Sequence, residues 1–279
     1  MWCVRQGASY KIDARYPYAA EDHKGASMLD IRKIIAATRD AVAETLCPTR
    51  CIGCDYPGSL LCPTCENALN RIDLKLACTR CGAPWGSSLC TECPPPGATD
   101  THGVLLPPPF MFDAARCAVS YEDLGKMIVH AYKDGFEQRL AQHMADEICR
   151  VLAFDPSWIA CADMLVPIPP TPSHVRERGW DPLGCIATTV AKQSRLPLAC
   201  ALKSATAADQ RKLTRSQRAA NRQGSFALMP QFAPLMAQGP TVVLLDDVLT
   251  TGATCNAAAQ ILKDAGAARV LVATYARVW

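Results

Sequence analysis

The 279-residue chain lacks the features of a membrane or secreted protein. No apolar run approaches the roughly 18 residues of a transmembrane helix, so we expect no membrane span. Residues 1–27 contain no apolar core of the signal-peptide type, because charged side chains interrupt them, and we therefore expect a cytoplasmic protein. A helical pattern begins directly after Met28, so residues 1–27 are either an extension of the protein or precede its natural start.

Net charge is also small. A formal charge of +3 is too low to indicate nucleic-acid binding by itself. The positive charge is nevertheless concentrated, because six basic residues fall within twenty positions against the single Asp209: Lys203, Arg211, Lys212, Arg215, Arg218 and Arg222. A solvated surface loop is the plain interpretation of this stretch. The alternative is a segment that closes over an anionic ligand and excludes water.

Glycine is scarce in residues 242–254, the stretch around which the rest of the chain is organised. Its sequence is Val-Val-Leu-Leu-Asp-Asp-Val-Leu-Thr-Thr-Gly-Ala-Thr, and Gly252 is its single glycine. A Walker A loop needs a further glycine and a following lysine, and a dinucleotide-binding loop needs several glycines. Both common nucleotide-binding loops are therefore excluded here.

The same stretch predicts a strand, a loop and the start of a helix. The apolar run 242–245 is typical of a central parallel strand covered on both faces, and Asp246 and Asp247 stand where we expect that strand to end. A loop of small residues follows at 250–254, and the alanine-rich stretch 255–265 predicts a helix. Backbone N–H groups at such a helix start converge on one point, which suits a phosphate.

Two carboxylates followed by a phosphate cradle suit a ligand with a diol on one side and a phosphate on the other. The stretch closely resembles the motif with which type I phosphoribosyltransferases bind phosphoribosyl pyrophosphate (PRPP). The resemblance implies that Asp246 and Asp247 are the catalytic residues and meet the ribose hydroxyls directly or through a divalent ion. It implies a PRPP-binding segment made of Val248, Leu249, Thr250, Thr251, Gly252, Ala253 and Thr254. The alternative is another α/β protein with an Asp-Asp strand end and a threonine-rich turn.

A second strand, loop and helix precede this stretch. Residues 163–168 predict a buried strand, and residues 169–179 are interpreted as a loop whose Arg176 and Arg178 suit phosphate oxygens. Asp181 suits the N-cap of a helix that we expect to run to about Gln193. Further predicted elements are a strand at 114–121 and helices at 122–132 and 137–152. The repeated pattern favours an open α/β sheet that binds ligands at the carboxyl ends of its strands.

Cysteine is abundant, since eight of the 16 cysteines stand in four Cys-x-x-Cys pairs. A disulfide-stabilised secreted domain would need a signal peptide, so metal binding is the better interpretation. Four thiolates suit a tetrahedral zinc ion, and the pairs supply two structural sites. One zinc in each consecutive half fits the internal repeat, while an interleaved arrangement stays open; redox dithiols or a cluster are the alternative chemistry. The predicted ligands are Cys51, Cys54, Cys62, Cys65, Cys78, Cys81, Cys90 and Cys93.

Proline-rich segments indicate where the chain divides. We predict an N-terminal extension and helix at 1–46, a double zinc-ribbon module at 47–96, a proline-rich linker at 97–112 and a phosphoribosyltransferase domain at 113–279.

Taken together, these motifs resemble the ComF family, also called ComFC in competence systems, over residues 46–279. Besides the cysteine pairs and the Asp246-Asp247 motif, the matching residues are Tyr121, Lys133-Asp134-Gly135, Val166-Pro167-Ile168-Pro169, Arg176-Glu177-Arg178-Gly179, Gln210, Leu213, Arg218, Asn221, Phe226 and Tyr275-Ala276-Arg277. The resemblance implies a type I phosphoribosyltransferase-like α/β fold, with an open parallel sheet flanked by helices and an N-terminal zinc-binding module of the four-cysteine type. It also implies two structural zinc ions, magnesium bound with PRPP, and PRPP contacts from Lys133, Arg176, Arg178 and Gly179. Competence and DNA uptake are the implied process, with single-stranded DNA and competence-machinery proteins as further partners.

Two departures from related proteins bear on the ligand. After the Val-Pro strand the family usually has a His, a further Arg and then Phe-Asn-Gln, where this chain has Thr171, His174 and Trp180-Asp181-Pro182. Purine-salvage relatives place a carboxylate at the first residue of the phosphate loop, where this chain has Thr250. This difference disfavours a 6-oxopurine acceptor.

The sequence leaves several functional hypotheses open. An enzyme would hold PRPP with the carboxylates and the loop, receive the pyrophosphate with Arg176 and Arg178, and use no protein nucleophile. One form of this enzyme is a nucleobase-salvage phosphoribosyltransferase. A non-catalytic competence factor would instead bind single-stranded DNA through the basic stretch 203–222 and the zinc module. In a third hypothesis, the zinc module is only a hood or a docking element.

Overall fold

The computed structural model describes residues 48–86, 88–95, 97–105, 110–204 and 226–279. The predicted N-terminal helix and residues 205–222 of the basic stretch lie outside the described residues. Among the helices that are described, none is long and apolar enough to cross a membrane. Residues Thr49–Trp279 form one compact unit.

Strands and helices alternate along most of this unit. In chain order the elements are α1 (Pro63–Ala68), β1 (Ala114–Ser120), α2 (Asp123–Lys133), α3 (Leu140–Phe154), α4 (Pro156–Cys161), β2 (Met164–Pro167), α5 (Pro172–Arg178), α6 (Pro182–Ser194), β3 (Leu202–Ser204), β4 (Phe226–Leu228), a 3-10 turn (Pro230–Phe232), α7 (Ala233–Met236), β5 (Thr241–Leu249), α8 (Ala253–Asp264) and β6 (Arg269–Arg277). The order β1-β6-β5-β2 makes one parallel sheet, while β3 and β4 pair antiparallel. This arrangement confirms the predicted open parallel α/β sheet.

Burial explains why these segments adopt these structures. The first five residues of β5 are buried because the strand lies between β6 and β2 in the sheet. In α3 the side chains at four-residue spacing, Leu140, Met144, Ile148 and Leu152, are all buried, as one face of an amphipathic helix should be. At the start of α6, Asp181 Oδ1 accepts a hydrogen bond from the Gly184 N–H at 3.0 Å, which confirms the predicted N-cap.

Strand β5 differs from its prediction in one respect that matters for the site. We expected the strand to end at the carboxylates, but it continues to Leu249 because Asp246 pairs with Thr274 and Leu249 with Arg277 on β6. On the other edge, the pairing with β2 stops at Pro167 opposite Leu245. The stretch from Asp246 onward therefore has a strand neighbour on one side only, and a cleft lies on the other.

The segment predicted as a loop after β2 contains a helix. Pro172 lies in the first turn of α5, where a missing N–H costs nothing, and Gly179 ends the helix in the left-handed region with φ 74°. The interpretation of 169–179 as a loop was therefore wrong for Pro172–Arg178.

The cysteine-rich segment packs directly on the sheet. The Ile72 N–H donates to the Ala118 carbonyl at 3.0 Å, and the Ser120 N–H donates to the Asn70 carbonyl at 2.9 Å. Arg71 forms ion pairs with Glu66 on α1 and with the buried Glu147 on α3. These contacts tie the module to β1 and α3.

Candidate functional site

A cleft of about 160 Å³ lies at the carboxyl ends of β5 and β2. Its lining includes Asp246 and Asp247 from β5, Lys133 from the end of α2, and Arg178 and Trp180 from the segment after β2. The carboxyl ends of parallel strands lie at the same edge of the sheet, so charged residues that are distant in sequence come together here. The structure thus brings together the predicted carboxylates, Lys133 and one of the two predicted arginines.

Asp247 is neutralised by Lys133. The Lys133 Nζ lies 2.5 Å from Asp247 Oδ2, and the two side chains are 23% and 14% exposed. A carboxylate removed this far from water needs a cation or donor beside it, because its charge is costly to bury alone. A sugar hydroxyl or a divalent ion at Asp247 would exchange with this ammonium group.

Asp246 has a different environment, since consecutive residues of a strand point to opposite faces. Its Oδ1 accepts from the Asp247 backbone N–H at 2.9 Å, and the Cys255 thiol on α8 donates to its Oδ2 at 3.6 Å. Burial, followed by the charge of Asp247, raises the pKa of Asp246 to about 7. A cation placed beside this pair would favour its ionised form.

The predicted phosphate loop, residues 250–254, leads from β5 into α8. Gly252 is the N-cap residue with φ 78°, and among the described residues no side chain caps the helix at that position. The Ala253 N–H, at the first helical position, donates to the Thr251 hydroxyl at 3.4 Å. The other N–H groups of the first turn have no intrahelical partners, so they offer donors to an anion at this end of the helix.

The two predicted arginines lie on different sides of α5. Arg178 lines the cleft, whereas Arg176 is exposed and is not part of its lining. Residues two apart in a helix are separated by about 200° around its axis, so they cannot face the same ligand. The sequence prediction treated them as a pair because it assumed an extended loop.

A polar chain that the sequence analysis missed extends from Arg178 across α2. Arg178 Nη2 lies 3.0 Å from Asp134 Oδ1, and His130 Nδ1 lies 3.1 Å from Asp134 Oδ2. His130 Nε2 lies in turn 3.3 Å from the Tyr121 hydroxyl. The hydrogen bond with His130, and then the one from Arg178, lower the pKa of Asp134. These polar contacts orient Arg178 at the rim of the cleft. The signal for them in the sequence was the four-residue spacing of His130 and Asp134.

One donor in the cleft has no partner within the described part of the chain. The indole Nε1 of Trp180 is buried without a hydrogen bond, while its ring meets the Tyr132 ring edge-on at 5.0 Å. A buried N–H without a partner is uncommon, and a ligand oxygen that reached it would satisfy it.

Two groups of four cysteines could each hold a metal ion. They are Cys51, Cys54, Cys62 and Cys65 in the first cluster and Cys78, Cys81, Cys90 and Cys93 in the second, and within each group the sulfur atoms lie within 4.8 Å of one another. The grouping is consecutive, as the repeat suggested, and not interleaved.

The geometry and environment of these sulfurs fit zinc. Tetrahedral Zn–S bonds place sulfurs about 3.8 Å apart, and the Sγ atoms of Cys54 and Cys62 are 3.7 Å apart. Although burial opposes the thiolate, backbone N–H groups, including that of Cys62 at 3.3 Å, lower the pKa of Cys51 to about 6. Four thiol ligands leave no open position, so a bound zinc ion would be structural.

We expect the purified protein to carry two zinc ions, one in each cluster, and to lose them in a fixed order. All four cysteines of the second cluster are buried, whereas Cys54 of the first is exposed, so a chelator should strip the first cluster before the second. Elemental analysis of wild type, Cys54→Ser and Cys90→Ser, with a colorimetric chelator to follow release, checks this. Simultaneous release of both ions from wild type would contradict the expectation.

No protein-family model matches the chain, and a search of curated proteins returned no match either. Among solved structures, the chain is similar to one described as the allosteric regulatory enzyme of purine biosynthesis, with 16% sequence identity and a TM-score of 0.35. The similarity covers 49% of this chain and 25% of that chain. A similarity of this size carries no functional argument, so the function has to be argued from the residues of the site.

Proposed function

We propose that this chain is a PRPP-binding, phosphoribosyltransferase-like protein of the ComF type that acts in the cytoplasm. The observation that carries the proposal is the placement of Asp246 and Asp247 on a central parallel strand shortly before the N-terminus of α8, whose N-cap residue is Gly252. Lys133 and Arg178 face the same cleft, so cationic groups surround the carboxylates. Acidic and anion-binding groups side by side suit a ligand that carries both hydroxyls and phosphates.

Under this proposal, each part of PRPP would meet its own group of residues. The ribose hydroxyls would meet Asp246 and Asp247, the 5′-phosphate would lie on the N–H groups of residues 250–254, and the pyrophosphate would face Lys133 and Arg178. Val248 and Leu249 would carry the strand into that loop, and Gly179 would place Arg178. Arg176 would reach the pyrophosphate only through a change in α5.

Magnesium fits this donor set. It binds through one or two carboxylates when phosphates and waters complete its shell, and Asp246 and Asp247 are the residues that would hold it. When bound, it would neutralise charge on the pyrophosphate. Asp246 is partly buried, and a cation bound beside it would offset the burial and the Asp247 charge that raise its pKa.

The proposed reaction breaks the bond between ribose C1′ and the pyrophosphate oxygen as an acceptor attacks C1′. Positive charge develops on the ribose ring and negative charge on the leaving group. Asp246 and Asp247 would hold the hydroxyls of the cationic ring, while Lys133 and Arg178 would stabilise the pyrophosphate. The contribution of the chain is therefore positioning and charge stabilisation, without a covalent intermediate.

Comparison of Arg178→Ala with Arg176→Ala tests the proposed orientation. Because only Arg178 lines the cleft, its loss should weaken Mg–PRPP binding about tenfold, whereas Arg176→Ala should leave the affinity within about twofold of wild type. Calorimetry at constant ionic strength measures both. Equal losses in the two variants would show that the segment after β2 binds in a different conformation.

Two further parts of the proposal concern the acceptor and the biological process. The resemblance to ComF supports a part in competence and DNA uptake, with competence-machinery proteins as partners, and Thr250 argues against a 6-oxopurine acceptor. Pyrophosphate release from PRPP, assayed over a panel of nucleobases and amines, tests turnover and the nucleobase-salvage alternative. If PRPP binds but no acceptor in the panel releases pyrophosphate, a binding role becomes the better description.

Single-stranded DNA binding is a separate proposal. Of the basic stretch, only Lys203 and Ser204 fall within the described residues, so the support comes from the sequence and the family resemblance. A labelled oligonucleotide should bind at low ionic strength, and its affinity should fall steeply with added salt. Absence of binding at low salt would remove DNA from the list of partners.

We also propose that the chain divides at 46/47, 96/97 and 112/113. Whether the zinc module is a hood or a docking element can be tested with a truncation that removes residues 1–97. Unchanged PRPP affinity in a folded truncation would rule out both a hood and any supporting role of the module in binding.

A further inference from the structure

The second cysteine cluster is joined to the phosphate loop by a buried arginine. Arg277, at the end of β6, is 6% exposed. Its Nε donates to the Cys81 carbonyl at 3.1 Å, and its Nη1 donates to the carbonyls of Leu249 at 3.2 Å and Thr250 at 2.5 Å. One side chain therefore holds a backbone carbonyl of a metal-ligand residue and the two carbonyls at which the phosphate loop begins.

A second connection reaches the other side of the same loop. Arg80, which lies between Cys78 and Cys81, donates to the Phe110 carbonyl at 2.7 Å and to the Asp113 carbonyl at 3.1 Å. The Phe110 ring lies so close to Gly252 that a Cβ atom there would be 2.9 Å from its Cε1. The Met111 N–H donates to Asn256 in the first turns of α8. The segment 110–113 therefore lies between the cluster and the helix start.

Charge and burial explain how a metal in this cluster would act on both connections. Four thiolates around a divalent ion carry net negative charge, which favours two guanidinium groups at this buried boundary. Loss of the ion would remove the bonds that fix the four sulfurs and would release the turn that contains Arg80 and Cys81. The Cys81 carbonyl would then no longer hold the Arg277 side chain in place.

We propose that the second cluster, through Arg277 and Phe110, sets the conformation of the phosphate loop, so that metal occupancy there controls phosphate binding at the loop. Arg277 is a positioning residue, because the hydrogen bonds from its Nε and Nη1 go to backbone carbonyls. For its binding readout this inference rests on the proposed function. The first cluster serves as an internal control, since within the described ranges no hydrogen bond joins it to residues 249–254.

The main test uses Arg277→Lys, with Arg116→Lys as the matched control. Arg116 also lies in the sheet, largely buried, but it pairs with Asp155 and lies over the rings of Phe154 and Trp158. Both variants should retain two zinc ions. In Arg277→Lys, amide hydrogen exchange in 249–256 should be about tenfold faster than in wild type and Mg–PRPP affinity about tenfold weaker, whereas Arg116→Lys should change neither.

The role of the metal ions is tested with Cys90→Ser, which disrupts the second cluster, and Cys54→Ser, which disrupts the first. Loss of the second metal should accelerate exchange in 249–256 as Arg277→Lys does, and combining Cys90→Ser with Arg277→Lys should add little, because both act through one connection. Cys54→Ser should leave exchange in the loop unchanged. Wild-type exchange in Arg277→Lys, or equal effects of the two cysteine variants, would overturn the inference. Exchange needs no ligand, so failure of wild type to bind PRPP would contradict the proposed function while the exchange result still decides this one.

Discussion

Replacement of both carboxylates, in Asp246→Asn with Asp247→Asn, should weaken Mg–PRPP binding by at least about a hundredfold. The amides keep the size of the side chains but cannot supply the negative charge that a divalent ion and the ribose hydroxyls require. The fold should tolerate the change at Asp246, where burial already opposes the charged form and raises the pKa to about 7. Calorimetry measures the affinity, and thermal unfolding shows that the variant is folded.

Asp264→Asn provides the matched control for this double variant. Asp264 lies at the end of α8, where it accepts a hydrogen bond from Gln260 on the surface, so its replacement should leave PRPP affinity unchanged. The single variants separate the two roles, because Asp247→Asn also leaves Lys133 without its ion pair. Wild-type affinity in the folded double variant would exclude these carboxylates from the site.

Gly252→Val should weaken PRPP binding by at least about thirtyfold, and we expect it to lower the free energy of unfolding by about 1–3 kcal/mol. A β-branched residue strongly resists the φ of 78°, and its Cβ would meet the Phe110 ring at 2.9 Å. The loop would have to leave the conformation that directs its N–H groups at a phosphate. Calorimetry and denaturant titration measure the two effects.

The control for this change is Gly103→Val. Gly103 has nearly the same φ, 77°, but nothing lies within 4 Å of the position that a Cβ would occupy. This variant should lose stability through backbone strain alone and should keep its affinity for PRPP. Comparable losses of affinity in both variants would mean that the effect at Gly252 comes from general destabilisation rather than from the loop.

Several strands and helices could be predicted because they depend on local patterns. The apolar run of β5, the four-residue spacing of α3 and the Asp-Pro start of α6 each specify their element within a few residues. The end of β5 could not be predicted in the same way, since Asp246 and Asp247 are poor strand residues by local preference. Pairing with Thr274 and its neighbours on β6 extends the strand, and that partner lies far along the chain.

The chemistry of the candidate site was predictable only where one motif contains it. Spacing identified the eight cysteines and the Asp246-Asp247 stretch, and the structure groups the cysteines as the repeat suggested. The separation of Arg176 from Arg178 depended on recognising α5, where proline and glycine mark the helix boundaries instead of preventing a helix. The contact of Arg277 with Cys81 joins residues 196 positions apart and has no local signal.

The most direct test of the account is a calorimetric titration of PRPP into the zinc-loaded wild-type protein, with and without Mg²⁺. We predict saturable binding at one site per chain that requires the metal ion. The carboxylates of the cleft and the pyrophosphate are both negatively charged, so a cation is needed between them. Ribose 5-phosphate should bind more weakly, since it lacks the group that Lys133 and Arg178 would hold. No saturable binding by folded, zinc-loaded protein at millimolar PRPP would contradict the account.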